Sequence, residues 1–338
     1  MLAAVFNGNK NINLCDYSLR ALEKNELLIK VAYCGVCGTD RHIYEGNAPL
    51  GIPVVLGHEY SGTIADKGSM NTNFNIGDSV AIDPNIYCGY CKYCKVGKVN
   101  FCENLKALGV TLDGGFAEYS IVPASQAYTL PEDFDLSLAA FTEPLSCCLR
   151  GIEHADIKPG NTVIIVGGGS IGLIMVQLVR NAGASKIILI EPDAQKQELG
   201  IELGADYCFS PIEDRIYEKI NELTDSQVDL VIECVGNKNA VDQAIKIAGK
   251  GSKVIIFGLA PNDHNVTLNL QALFQKELKI FNSLLNPFTT KPAIDLLIHN
   301  RINVQKLITK QIFLKDINNF FYNNDFAHNI KVQIINNN

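Results

Sequence analysis

Four cysteines fall within the fifteen residues CGYCKYCKVGKVNFC, at Cys88, Cys91, Cys94 and Cys102. The spacing C-x2-C-x2-C-x7-C lets thiolates converge on one tetrahedral ion, zinc by preference. Iron–sulfur clusters use similar short steps, but the chain holds no second cysteine set to serve an electron partner. A disulfide pair is disfavoured. The opening stretch MLAAVFNGNKNINLC has neither a basic leader nor a long apolar run, and thiols in a chain without an export signal are kept reduced. Four thiolates leave no open coordination position, so this centre reads as a staple on a long loop. The chemistry has to lie elsewhere.

A second set of ligand-type residues is spread over three stretches. CGVCGTDRHIY carries Cys37, Thr39 and His42; PVVLGHEYSG carries His58 and Glu59; FTEPLSCC carries Glu143. One thiolate, one imidazole and one carboxylate from separated loops would hold a zinc ion while leaving a position free for exchange, as a catalytic metal requires. The remaining cysteines, Cys15, Cys34, Cys147, Cys148, Cys208 and Cys234, sit mostly among apolar residues and read as small buried hydrophobes.

The third element is GGGSIG, with Gly167, Gly169 and Gly172 in the pattern G-x-G-x-x-G and Ser170 and Ile171 between the last two. It directly follows VIIV and opens a helix, the context that gives the motif meaning. Gly167 allows a tight turn, Gly169 lets the backbone approach a pyrophosphate, and Gly172 lets helix and strand pack closely. The helix N-terminus offers N–H groups to the phosphates. Glu191 ends the next strand, IILIE, where a carboxylate accepts hydrogen bonds from ribose hydroxyls and repels a 2′-phosphate; NAD is expected over NADP. Asp193 could share that task, while the nearby Lys196 weakens the discrimination. Val235 and Gly236, closing VDLVIECVG, are expected to touch the same cofactor. Hydride chemistry needs no one-electron carrier, which counts further against an iron–sulfur cluster in the lobe.

These residues must be held by particular elements. Residues 1–148 are rich in short strands and turns (VAYCGVCGT, SGTIADKG, DSVAIDP, GGFAEYSIVP), the pattern of an all-β, barrel-like domain. Residues 149–283 alternate short apolar strands (TVIIVGG, KIILIEP, VDLVIECVG, SKVIIFG) with the helical stretches SIGLIMVQLVRNAG, QKQELGIELG and NAVDQAIKIAG. That means α/β: a doubly wound parallel sheet covered on both faces. Residues 284–338 hold one clear helix, KPAIDLLIHNRI, and a final strand, KVQII. The segment is too short for its own domain and is expected to return to the first. NNFFYNN and the terminal NNN read as solvated loops and a frayed end.

The 338 residues are 47% hydrophobic and 19% charged, normal for a packed globular protein. A net charge of −7 and a pI near 5.4 argue against nucleic acid or an anionic membrane as partner. The longest charge-free apolar stretch, Val163–Val179, contains four glycines and suits a strand and turn better than a membrane span.

Taken in order, CGTDRH, GHEYSG, the four-cysteine lobe, GGFAEY, EPL, GGGSIG and the strand-end acid resemble the zinc-dependent medium-chain dehydrogenases, and within them the polyol (sorbitol, xylitol, arabinitol) and threonine dehydrogenase branch. The resemblance covers nearly the whole chain. It implies a GroES-like β-barrel catalytic domain, a Rossmann domain, and a C-terminal segment returning to the first. It also implies that Cys37, His58 and Glu59 bind the catalytic zinc and that Glu143 sits at the fourth ligand position, on the metal or on its water. Thr39 and His42 match a proton relay. The reaction implied is oxidation of a secondary alcohol of a polyol to the ketose, with hydride passing to NAD. Threonine and a polyol phosphate are the alternative substrates, with Arg41 and Arg150 as receivers for a carboxylate or phosphate. Some sorbitol-type enzymes have tyrosine directly after the relay histidine; here Ile43 stands there and Tyr44 follows. The resemblance further implies a cytoplasmic homo-oligomer, dimer or tetramer, acting on a small molecule. A zinc-bearing redox-sensing module is the reading from a different class.

Overall fold

The computed structural model of the protein describes residues 1–46, 51–261, 264–326 and 329–336. The chain divides into two compact units. One comprises Met1–Ser146, Asn286–Asn300 and Val304–Asn338; the other comprises Cys147–Leu285 and Arg301–Asn303.

The first unit is built on a seven-stranded sheet. Six strands run Ala127–Thr129, Ser79–Ile82, Glu59–Lys67, Glu26–Gly35, Lys331–Ile335 and Ile308–Phe313, and Tyr119–Pro123 pairs with Glu26–Gly35 as the seventh. In Glu26–Gly35, Leu27, Ile29 and Val31 are buried at a period of two, as a half-buried strand requires. These side chains join Phe6, Val55, Tyr60, Ile64, Val80 and Phe116 in one core. Burial of this apolar surface is the main force holding the sheet closed. The short helix Gly38–Tyr44 follows Glu26–Gly35 directly. A two-stranded ribbon, Asn85–Ile86 with Lys106–Ala107, closes the base of the cysteine-rich loop.

The C-terminal segment completes this unit. Its strand Lys331–Ile335 pairs antiparallel with Glu26–Gly35, Gln333 opposite Gly35 and Ile334 opposite Cys34. Two expectations for the segment fail. The helix Ile317–Tyr322 takes in the first five residues of NNFFYNN, and its Phe320 and Phe321 are buried. Phe321 lies 5.1 Å from the Tyr44 ring and 6.3 Å from the Phe116 ring. Two adjacent phenylalanines outweighed four flanking asparagines, because burying two aromatic rings is worth more than the weak loop preference of Asn. Asn336 is also tied down, its Nδ2 donating to the carbonyls of Val31 (2.8 Å) and Ala117 (3.0 Å). The rest of the proposed frayed end, Asn337 and Asn338, lies outside the described residues.

The second unit holds a six-stranded, wholly parallel sheet in the order Tyr207–Phe209, Lys186–Ile190, Thr162–Val166, Leu230–Glu233, Lys253–Ile256, Lys279–Asn282. Numbered along the chain this is 3-2-1-4-5-6, the dinucleotide-binding order, whose direction reverses after the first strand. Ile164, Ile188, Val231 and Val254 are fully buried, so the strands read as apolar runs. The helices Ser170–Asn181, Ala194–Glu202 and Lys238–Ile247 occur where helical periodicity predicts them; Ile216–Thr224 and Leu270–Lys276 are additional. No helix among the described residues is long and apolar enough to cross a membrane.

Candidate functional site

The lobe comes together as one cluster. The sulfurs of Cys88, Cys91, Cys94 and Cys102 all lie within 4.8 Å of one another, and none of the eleven cysteines is in a disulfide. Local backbone geometry does the converging. The N–H groups of Cys88 and Asn104 point at Cys102 Sγ (3.3 and 3.4 Å), and the Cys91 N–H points at Cys88 Sγ (3.4 Å). Desolvation works to raise the Cys88 thiol, but the N–H groups of Tyr90 and Cys91 outweigh it and pull it down to about 6. Donors aimed at sulfur favour the thiolate, the form a metal binds. Burial and the neighbouring sulfurs push the Cys94 thiol up to about 12, so it is the gathering of four sulfurs within 4.8 Å, with backbone donors aimed at two of them, that fits a four-thiolate zinc ion.

The second cluster, Cys37, His58 and Glu59, is assembled from two separate segments, and again its ligand atoms lie within 4.8 Å of one another. Cys37 is the N-cap of the helix Gly38–Tyr44: its sulfur accepts from the Thr39 N–H (3.5 Å), and the Asp40 carboxylate reaches back to the Cys37 N–H (2.9 Å). This capping box fixes the sulfur before any metal arrives. His58 and Glu59 lie where the chain enters the strand Glu59–Lys67, and both are buried.

Asp40, to which the sequence reading assigned no role, is fully buried beneath His58. Its Oδ1 stands 3.5 Å from His58 Nδ1, and neither atom makes a hydrogen bond among the described residues. A carboxylate beside one ring nitrogen is the usual second partner of a metal-bound histidine, and Asp40 stands where such a partner would. Burial pulls the His58 ring down, but Asp40 and the Cys37 sulfur outweigh it and hold the ring well above its usual range. The donor set, its burial and the waiting Asp40–His58 pair fit a catalytic zinc ion.

The other expected residues stand as follows. Glu143 is buried in the first turn of the helix Thr142–Ala155, outside the three-residue cluster. Thr39 and His42 are both half-buried and lie three apart on one helix face. Ile43 belongs to the core, and the Tyr44 ring lies tilted against those of Phe6 and Phe321. Arg41 pairs with Glu45 (2.9 Å) and Arg150 with Glu153 (3.2 Å), each within its own helix. The sequence reading also missed Lys331, whose Nζ donates to Glu59 Oε2 at 2.6 Å. The one signal for it was a lysine heading the apolar run KVQII.

In the second unit, Gly167 has φ +102°, and a Cβ there would stand 2.6 Å from the Val235 side chain; a Cβ at Gly172 would stand 1.8 Å from the Gly167 oxygen. Gly169 faces open space at the start of the helix Ser170–Asn181, which has no side-chain cap, and Ser170 and Ile171 follow in its first turn. Uncapped N–H groups over an open glycine form a cradle for a phosphate. Glu191 is buried at its strand end and accepts from the N–H groups of Gly168 (2.5 Å) and Asp193 (3.0 Å). Asp193 accepts from the Gln195 and Lys196 N–H groups as a helix cap. Glu233 is a residue that sequence reasoning overlooked. Fully buried, it accepts from the N–H groups of Val235 (2.7 Å) and Gly236 (2.8 Å) and so sets the turn those two residues form. These features fit a dinucleotide.

Comparison with known proteins agrees with this geometry. The family described as Alcohol dehydrogenase GroES-like domain matches residues 23–132, and the one described as Zinc-binding dehydrogenase matches residues 170–299. A sorbitol dehydrogenase of Halalkalibacterium halodurans is 35% identical over 87% of this chain and 86% of its own. A D-arabitol-phosphate dehydrogenase of Enterococcus avium is 33% identical over 97% of this chain and 94% of its own. Among solved structures, a candidate zinc-binding dehydrogenase from Sinorhizobium meliloti, bound to NADP, superposes with a TM-score of 0.95 at 38% identity, covering 99% of this chain and 98% of that one. The chain therefore belongs to the zinc-dependent medium-chain dehydrogenase family. It is an oxidoreductase of that family, built of a GroES-like and a Rossmann domain.

Proposed function

We propose that this protein oxidises a secondary alcohol of a free polyol to the ketose, with NAD as hydride acceptor. The observation that carries this reading is the buried Cys37–His58–Glu59 cluster in a chain that also holds a complete dinucleotide turn. Cys37, His58 and Glu59 would hold the catalytic zinc, with Glu143 beside them; Cys88, Cys91, Cys94 and Cys102 would hold the structural one. When bound, the catalytic ion supplies Lewis acidity to the substrate hydroxyl, and NAD supplies the hydride acceptor. The chain's own residues do the rest. Asp40 orients His58, the capping box orients Cys37, and the Thr39 hydroxyl and His42 imidazole carry the released proton outward. Gly167, Gly169, Ser170, Ile171 and Gly172 would bind the pyrophosphate, Glu191 the adenosine ribose, and Val235 and Gly236 the far half of the cofactor.

A free polyol is favoured over threonine or a polyol phosphate because Arg41 and Arg150 are both engaged in ion pairs. The D-arabitol-phosphate relative favours the phosphorylated alternative. Eleven cysteines outside any disulfide suit a reducing, cytoplasmic setting, and we extend the reading to a homo-oligomer, dimer or tetramer. The test follows NADH formation by the zinc-loaded protein with sorbitol, xylitol, arabinitol, polyol phosphates, threonine and simple secondary alcohols, each with NAD and with NADP. One free polyol preferred with NAD is the expected result. Preference for threonine or a phosphate overturns the substrate, and preference for NADP overturns the role given to Glu191.

A further inference from the structure

Lys331 is the only lysine or arginine among the described residues that is fully buried, with its side chain 4% exposed. A buried ammonium is rare and needs a partner. Its partner is Glu59, at 2.6 Å, across 272 residues of sequence. The arrangement is specific. Gly35 pairs with Glu59 on one side and with Gln333 on the other, so the strand carrying Gly35 separates the two partners. The Glu59 carboxylate crosses directly over Gly35: a Cβ at that position would stand 2.2 Å from Oε2. The ion pair exists because the intervening residue has no side chain. Lys331 also approaches the Val36 carbonyl (3.4 Å) and the face of the Phe141 ring (5.9 Å).

We propose that Lys331 is a positioning residue for the buried metal centre: it holds one oxygen of Glu59 away from the ion and, as a fixed positive charge beside the cluster, keeps the affinity for a divalent cation down. This rests on the reading of Cys37, His58 and Glu59 as metal ligands. The physical consequence has a definite sign. Removing a cation beside a cation site strengthens that site, and here it also frees the second oxygen of a carboxylate ligand. Loss of this lysine should therefore tighten metal binding, whereas loss of an ordinary supporting partner weakens it.

The test measures the zinc dissociation constant of the buried centre by chelator competition on the full chain, together with the absorption spectrum after cobalt replaces zinc. Lys331→Met is expected to bind zinc more tightly than wild type, by about tenfold or more once the neighbouring positive charge is gone, with a cobalt spectrum moved toward a higher coordination number. Lys331→Arg should restore the wild-type constant. In a Glu59→Gln background the same Lys331→Met change should lose most of its effect. If Lys331→Met fails to fold, Lys331→Gln carries the test, since it keeps an N–H donor for Glu59 without the charge; severalfold tighter binding is expected. Unchanged or weaker zinc binding in these variants overturns the proposal, as does a gain that persists undiminished without Glu59. Failure of the underlying reading looks different. Wild type would then take up a single zinc per chain, and Cys88→Ala would take up none.

Discussion

The two cysteine-bearing centres in the first unit are built in opposite ways. The lobe gathers four like ligands from fifteen consecutive residues, and its supporting donors are backbone N–H groups of the same stretch and of Asn104 just beyond it. The buried cluster gathers three unlike ligands from two separate segments, and its supports, Asp40 and Lys331, are side chains from one of those segments and from the last strand of the chain. A site held by its own backbone is closed and needs little from the fold. A site held by distant side chains can keep a position open, because no single segment surrounds the ion. In the function we propose, that difference is what separates a staple from a reactive centre within one domain.

Four measurements would break or sharpen that contrast. The largest effect belongs to Cys37→Ala. It should cut kcat/KM by about a thousandfold or more, the several kcal/mol that a Lewis acid supplies, while circular dichroism and the second zinc stay in place. Normal turnover in a variant lacking the buried zinc would sink the mechanism. Cys88→Ala should do the reverse. Its melting temperature should fall by on the order of 10 °C, as expected for loss of a structural metal, and the protein that remains folded should keep its kcat. If kcat collapsed while Tm held, the roles of the two centres would be exchanged.

Asp40→Asn tests the side-chain support of the buried centre. An amide removes the charge beneath His58, and zinc affinity there should drop about ten- to a hundredfold while the lobe keeps its ion. Equal loss from both centres would show that Asp40 acts on folding rather than on the ligand. The mildest perturbation is brief exposure to a chelator. Activity should disappear before the melting temperature moves, since an open site exchanges its ion faster than a closed one; simultaneous loss would remove the distinction.

Legibility from sequence follows the same contrast. The lobe could be read in full, since its ligands and donors are neighbours along the chain. The dinucleotide turn was legible because a strand, three glycines, a helix and an acid occur in fixed order, and each is positioned by local backbone geometry. Glu233 escaped notice because a glutamate near a strand end looks solvated until the turn it holds is seen closing over it. Asp40 sat inside a quoted motif, CGTDRH, but its role depends on His58, which arrives from another strand. NNFFYNN misled through composition: its asparagines are local signals, whereas the cavity that accepts Phe320 and Phe321 is made by Tyr44, Phe116 and Phe326 from elsewhere.

The sequence by itself therefore determined the family, the parallel-sheet unit and the gathering of the four lobe cysteines, because each rests on motifs, spacing or periodicity along the chain. Only the tertiary structure decided which charges face the buried cluster. The Glu59–Lys331 pair requires two strands to flank Gly35 and a glycine to leave room between them. Coulomb energy depends on distance in space and on burial, and the fold alone sets both.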